Sequence, residues 1–87
     1  MNYKKTEKMD FIVTDETSLA VFDPESGDTY FFNEIGLDIL NCINEPCSLE
    51  IILKKLCSIY DVTAEDIKND VEEFLADTVT KGIVEIL

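Results

Sequence analysis

Hydrophobic and polar residues alternate in short runs over the first third of the chain, and this pattern predicts β-strands. The runs at residues 11–14, 18–22 and 29–32 are rich in β-branched and aromatic residues. Turn-forming residues separate them at 15–17 and at 23–28, where a proline and a glycine favour a hairpin loop. Two consecutive hairpins predict a three-stranded antiparallel meander.

From residue 33 onward, hydrophobic residues recur every three or four positions, which is the period of an amphipathic helix. Asn33, Ser48 and Thr63 each precede such a stretch, and side chains of these types commonly cap helix N-termini. Asp66 follows Thr63 at the spacing of a capping box in its acidic variant. The pattern therefore predicts three short helices. They are expected to end at Pro46, Ile59 and Gly82.

The chain is expected to form one domain, because 87 residues and 9.9 kDa are too few for two independent cores. We predict a flexible N-terminal segment over residues 1–10 and a single domain over residues 11–87, with a short strand at 83–87. The predicted class is α+β, with a three-stranded antiparallel sheet followed by three helices. This order of elements resembles a winged helix-turn-helix.

Acidic residues dominate the charge: 19 Asp and Glu stand against 7 Lys, with no Arg, and the net charge is −12. Winged-helix domains often bind DNA, but a recognition helix has to bring cations to the phosphates. A winged-helix DNA-binding regulator is therefore a disfavoured alternative, and no nucleic-acid partner is expected. The third predicted helix carries Glu65, Asp66, Asp70, Glu72, Glu73 and Asp77.

Several other classes of function are disfavoured because the sequence lacks the residues or segments that they require. No apolar run approaches the roughly 20 residues that span a bilayer, so a cytoplasmic protein without a membrane partner is expected. The chain has no His, which excludes Ser-His-Asp and Cys-His sites, and we predict no catalytic residue, no enzyme activity and no cofactor. An acyl carrier protein would need an Asp before its attachment serine, whereas Ser48 follows Cys47.

The three cysteines, Cys42, Cys47 and Cys57, are interpreted as reduced thiols that pack as small hydrophobic residues. Their spacing lacks the close pairs of a structural zinc site, so no metal site is predicted. A metal or redox role remains the alternative interpretation.

The third predicted strand, residues 29–32, is the most aromatic stretch of the chain. In a pleated strand Tyr30 and Phe32 face one side of the sheet, and Thr29 and Phe31 face the other. One interpretation is structural, with the second face half-covered by the N-terminal segment. The other is functional, because no Lys, Pro or inward charge protects this edge against pairing with a foreign peptide.

The third predicted helix has a wider apolar stripe than a core face requires. Leu75 and Val79 extend the stripe to one flank, where Lys68 and Glu72 complete the row. Either another helix covers this flank, or it is an apolar wall with a charged rim. Beside the third strand, such a wall would form a groove for an extended peptide. The ordinary core face consists of Ile67, Val71, Phe74 and Thr78.

Three segments, in order, resemble one known family. Residues 30–40 are similar to its Tyr-x-Leu-Asn-x-x-Gly-x-x-Ile segment, although Phe32 replaces the Leu. Residues 51–62 match its Ile-x-x-x-Leu-x-x-x-Tyr-x-Val helix, and residues 70–84 match its Asp-Val-x-x-Phe-Leu ending followed by x-Gly-Leu-Val. Together they resemble the PqqD-like family, the elements that recognise leader peptides in pathways of ribosomally synthesised and post-translationally modified peptides.

This resemblance implies a non-catalytic peptide chaperone. A precursor's leader would add as a strand in a groove between the third strand and the third helix. The protein would then present the precursor to a modifying enzyme, either a radical-SAM maturase or, in lasso-peptide pathways, a leader peptidase. Because the strand edge is open, a homodimer formed through it is also possible. The implied peptide-binding residues are Thr29, Tyr30, Phe31, Phe32, Lys68, Val71, Glu72, Leu75 and Val79.

Overall fold

Five strands and three helices follow one another in the computed structural model, which describes all 87 residues. The strands are β1 (Tyr3–Lys5), β2 (Asp10–Asp15), β3 (Ser18–Phe22), β4 (Thr29–Phe32) and β5 (Val84–Ile86). The helices are α1 (Glu34–Cys42), α2 (Leu49–Ile59) and α3 (Ala64–Thr80). Strands β2, β3 and β4 form an antiparallel sheet in that order, ahead of the helices. The predicted α+β architecture is thereby confirmed.

The helices begin at the predicted caps. The Asn33 side chain accepts a hydrogen bond from the backbone N–H of Gly36, and Ser48 caps α2 in the same way. Thr63 and Asp66 form a reciprocal capping box at the start of α3. Because Asn33 alone separates β4 from α1, the strand and this helix have little freedom to move apart.

The hydrophobic core lies between one face of the sheet and the three helices. Helix α1 packs against β3 and β4, while α2 packs against α3. Burying these apolar side chains is the main contribution to the stability of the fold. No helix has the length and apolar character needed to cross a membrane. The most deeply buried large side chains are Ile39, Leu40, Ile43, Ile52, Leu75 and Ile83.

The N-terminal segment was expected to be flexible, but its residues 3–5 form strand β1. This strand pairs antiparallel with the C-terminal strand β5, with Tyr3 opposite Ile86. The N–H of Tyr3 also donates to the carbonyl oxygen of Cys47 at 2.8 Å, and Thr6 is buried. The strand was missed because three residues are too few to show a period of two. Its partners also lie far away along the chain. A terminal strand at residues 84–86 agrees with the expectation for residues 83–87.

Candidate functional site

Strand β4 forms one edge of the three-stranded sheet. It pairs with β3 on one side, from Leu19 opposite Phe32 to Phe22 opposite Thr29, and no strand pairs with its other side. The predicted strand at 29–32 therefore lies where an additional strand can join the sheet. An edge of this kind usually carries Lys, Pro or a bulge that discourages pairing, and β4 has none of these.

The register of the hairpin identifies which backbone groups of β4 face the open side. Just beyond the strand pair, the N–H of Asp23 donates to the carbonyl oxygen of Asp28 at 2.8 Å. Hydrogen-bonded and non-hydrogen-bonded pairs alternate along an antiparallel ladder, so Tyr30 and Phe32 exchange hydrogen bonds with β3. Thr29 and Phe31 consequently direct their N–H and C=O groups towards the open side.

The side chains of β4 alternate between two environments. Tyr30 and Phe32 are half-buried and pack against the hydrophobic core, whereas Thr29 and Phe31 are exposed. Phe31 is 78% exposed and lies opposite Ala20 on the outer face of the sheet. A large aromatic side chain left almost entirely in solvent contributes little to folding, which makes it available for binding.

Two aromatic contacts show which flank of α3 borders β4. The ring of Phe32 packs edge to face on Phe74 with 5.5 Å between ring centroids. At the other end of the strand, Lys81 Nζ, just past α3, lies 5.5 Å from the centroid of the Tyr30 ring. The same Nζ lies 2.7 Å from an Oδ2 of Asp77. The flank that contains Phe74 and Asp77 therefore faces the strand between Phe74 and Lys81, and it is the candidate second wall of a peptide groove.

Gly36, in the first turn of α1, allows this close approach. A Cβ atom at this position would lie 2.9 Å from the Cβ of Phe32 and 3.2 Å from Cε2 of Phe74. Contacts that short require a neighbour to move. The glycine of the sequence motif is therefore needed because a larger residue would push Phe32 or Phe74 away. Its lack of a side chain allows Phe32 to lie against α3.

The residues of α3 named from the sequence do not form this wall. Val71 and Leu75 are buried in the core, with 3% and 1% of their surface exposed. They do not offer surface to a ligand.

Lys68, Glu72 and Val79 lie on the opposite flank of α3. They border a surface depression next to β1, β5 and the start of α2, and Lys68 Nζ lies 3.9 Å from Glu72 Oε1. At 3.6 residues per turn, Val79 stands about 140° around the helix axis from Phe74. The structure thus separates these three residues from β4, which corrects the predicted wall. The depression also includes Tyr3, Leu49, Ala76 and Ile86.

Sequence reasoning assigned no binding role to Phe74 and Asp77, which do border the strand, or to Asp70, which lies one turn before Phe74. Phe74 was placed in the core, and its i−4 and i+3 neighbours were counted only as charges that repel DNA. The helical spacing of these residues was available in the sequence. What it lacked was the direction from which β4 approaches the helix.

An apolar pocket of about 120 Å³ opens between α1, α2 and the first turns of α3. Tyr60 lies in its wall, and its hydroxyl donates to the Asp38 carboxylate at 2.5 Å. This hydrogen bond, together with desolvation, raises the pKa of Tyr60 to about 12. The pocket is lined by Ile35, Ile39, Leu56, Val62, Ile67, Asp70 and Val71 besides Tyr60.

The cysteines are all free thiols. Cys42 and Cys47 are buried, and Cys57 is half-buried. Burial raises the pKa of Cys42, so this thiol is less readily ionised than an exposed one. These positions suit small hydrophobic side chains and lie in α1, α2 and the turn between them, away from the β4 edge.

The chain is similar to known proteins both in sequence and in fold. A family model described as "Coenzyme PQQ synthesis protein D (PqqD)" matches residues 18–84. A solved structure described as "TbiB1 in Complex with the TbiA(beta) Leader Peptide" shares the fold, with a TM-score of 0.85 and 19% sequence identity. The alignment covers 97% of this chain and 96% of that one. No curated protein sequence matches the chain.

Proposed function

The chain belongs to the PqqD family, and from this premise we propose that it binds the leader region of a ribosomally synthesised precursor peptide by strand addition to β4. The family resemblance seen in the sequence motifs is confirmed by the match over residues 18–84. The similar TbiB1 structure is described as a complex with a leader peptide, and it supports the same class of ligand.

The observation that carries the proposal is the open edge of β4. Thr29 and Phe31 present backbone donors and acceptors at the spacing of a β-ladder, with no strand beside them. In strand addition, main-chain hydrogen bonds supply affinity that depends little on sequence, while pockets for alternate side chains supply selectivity. The exposed Phe31 side chain and the half-buried Tyr30 and Phe32 provide contacts on the two faces of an added strand.

The proposed second wall is the flank of α3 that contains Phe74 and Asp77, with Lys81 at its end. It replaces Lys68, Glu72 and Val79, which lie across the helix. Val71 and Leu75 keep a supporting role, because they fix the position of the helix from within the core. The groove is thus proposed between β4 and this flank of α3.

The proposed role is binding without catalysis, followed by presentation of the precursor to a modifying enzyme. A radical-SAM maturase and, in a lasso-peptide pathway, a leader peptidase are the two proposed classes of enzyme. The proposal places the protein in the cytoplasm, where its three free thiols stay reduced. A second copy of the chain is the competing occupant of the same edge. The acidic exposed face of α3 continues to disfavour a DNA-binding regulator.

The experiment measures binding of a candidate leader by fluorescence anisotropy. The candidate is a labelled synthetic peptide that corresponds to the N-terminal half of any short reading frame found beside the gene. Phe31→Pro removes an edge N–H and the aromatic ring, whereas the matched Phe31→Ala removes only the ring. Because the N–H of Phe31 faces solvent, the proline is compatible with an edge strand. We expect Phe31→Pro to weaken binding about 5- to 100-fold relative to Phe31→Ala.

An amide titration locates the same peptide, with circular dichroism confirming that both variants are folded. Shifts concentrated in residues 29–32 and 70–81 support the site. Shifts confined to residues 48–60, or equal affinity of the proline and alanine variants, contradict strand addition at β4. N-methylation of alternate peptide amides provides a second test that leaves the protein unchanged, and it should weaken binding at every other position only.

A further inference from the structure

We propose that the strand which pairs with β4 is basic, with Lys or Arg side chains on the side that faces α3. This inference rests on the proposed function and adds the chemical class of the ligand. Four observations support it: the position of an acidic row on α3, the shortage of cations near that row, the acidic residues at both ends of β4, and the pocket beside Asp70.

The acidic row consists of Asp66, Asp70, Glu73 and Asp77, all of them exposed. Their spacing of four, three and four residues places them on one stripe of the helix. The stripe lies immediately beside Phe74, which contacts Phe32 of β4. Because β4 faces the stretch of α3 from Phe74 to Lys81, Glu73 and Asp77 lie beside the strand. Asp70 and Asp66 continue the stripe past the Phe32 end of β4, towards α1.

Few cations compensate this row. Asp77 pairs with Lys81, and Asp66 is engaged in the capping box, but neither Asp70 nor Glu73 has an ion pair. Lys68, the one lysine within α3, pairs with Glu72 on the opposite flank of the helix. An acidic ligand in the groove would approach these carboxylates at close range, whereas a cationic one reduces their mutual repulsion.

Both ends of β4 carry the same sign of charge. Asp28 precedes the strand, Glu34 begins α1 directly after it, and both side chains are exposed. A guest strand therefore meets carboxylates at each end as well as along α3. Lys81 is the cation that lies against the strand, and its Nζ is held by Asp77 and the Tyr30 ring.

The dimensions of the groove suit alternate cations. Glu73 and Asp77 are separated by about 6 Å along the helix axis, at 1.5 Å per residue. Side chains on the same face of a strand recur about every 7 Å, so two successive ones reach the row together. Asp70 also lies in the wall of the apolar pocket of about 120 Å³. A Lys or Arg stem can occupy such a pocket while its charged end reaches the carboxylate.

Three synthetic peptides of equal length test the proposal. Each alternates Val and Thr at one set of positions and carries only Lys, only Glu or only Ser at the other. At low salt we expect the Lys peptide to bind about tenfold more tightly than the Ser peptide, and the Glu peptide to bind most weakly. At 1 M NaCl, where the Debye length is about 3 Å, this preference should largely vanish.

A pair of double variants separates the acidic row from the overall charge of the protein. Asp70→Asn with Glu73→Gln removes the two carboxylates of the row that have no ion pair, next to Phe74 and near the Phe32 end of β4. The control, Glu45→Gln with Glu50→Gln, removes two exposed carboxylates at the turn before α2 and in its first turn. We expect the first pair to lower affinity for the Lys peptide about three- to tenfold, and the control to have a much smaller effect.

The outcomes distinguish this inference from the proposed function. If the Ser and Lys peptides bind with equal affinity and both change the amide shifts of residues 29–32, strand addition is supported and the inference of a basic ligand is wrong. If the two double variants weaken the Lys peptide equally, the preference comes from net charge and the role of the row is wrong. If no peptide of the set, and no precursor segment, shifts residues 29–32, the proposed function itself fails.

Discussion

The sizes of single residues determine how closely β4 and α3 approach each other, and the clearest case is Gly36, which has no side chain. Alanine favours a helix by about 1 kcal/mol over glycine. Here, however, its Cβ would meet the Cβ of Phe32 at 2.9 Å, and overpacking of this kind costs about 1–3 kcal/mol. We therefore expect Gly36→Ala to lower the free energy of unfolding, measured by urea denaturation, and to weaken peptide binding by displacing Phe32.

A control for Gly36→Ala is available in Gly27, which has open space around its Cβ direction but a φ of +80°. Gly27→Ala should lower stability through backbone strain while leaving peptide affinity unchanged. Equal affinity of wild type and Gly36→Ala would show that the Phe32–Phe74 contact does not shape the groove.

The hydrogen bond from Tyr60 to Asp38 gives the protein a pH dependence at the alkaline end. Because the pKa of Tyr60 is raised to about 12 in the folded state, its protonated form stabilises the fold below the ordinary tyrosine pKa near 10. That contribution is lost as the pH rises from about 10 to 12. Tyr60→Phe should cost about 1 kcal/mol at pH 8.

The measurement for Tyr60 is the difference in unfolding free energy between wild type and Tyr60→Phe as the pH rises. Taking the difference cancels the pH-dependent contributions that the two proteins share. A difference that persists undiminished at pH 12 would contradict the assigned hydrogen bond.

At the scale of elements, β1 holds the two ends of the chain together. Tyr3 exchanges backbone hydrogen bonds with Cys47, at 2.8 and 3.0 Å, while β1 also pairs with β5. Tyr3→Pro removes the donor, and Tyr3→Ala keeps it while removing the ring. We expect the proline variant to be less stable than the alanine variant by about 1–3 kcal/mol in thermal unfolding. Equal stability of the two would mean that the bridge to Cys47 contributes nothing.

The elements that the sequence predicts correctly are those with local signals. Asn33, Ser48 and Thr63 begin helices because each side chain caps N–H groups only two or three residues away. Strand β4 follows from a short aromatic run after a turn. Strand β1 lacks any local signal, since its partners are Cys47 and the far end of the chain.

The flank of α3 that faces β4 also could not be predicted from local sequence signals. Helical periodicity correctly placed Val71 on the buried face, but it treats the two flanks of that face alike. Which flank meets β4 depends on the contact between Phe32 and Phe74 and on the space that Gly36 leaves. These are tertiary contacts, so periodicity alone led to Lys68 and Val79 when Phe74 and Asp77 were the neighbours.

At the scale of the whole molecule, a net charge of −12 on 87 residues opposes folding through self-repulsion. Salt screens this repulsion, since the Debye length falls from about 30 Å at 0.01 M to about 10 Å at 0.1 M. The same screening weakens attraction to a basic peptide. Stability and binding should therefore respond to salt in opposite directions.

We expect the thermal midpoint to rise by about 4–8 °C between 10 and 500 mM NaCl, as a gain near 1 kcal/mol would give for a domain of this size. Over the same range, affinity for the all-Lys peptide should fall while affinity for the all-Ser peptide stays level. The control is Glu45→Gln with Glu50→Gln, which reduces the net charge away from the groove, so its midpoint should rise less. A midpoint that falls with NaCl would show that self-repulsion does not limit folding. Lys and Ser peptides that respond alike to NaCl would show that the acidic surface does not select the ligand.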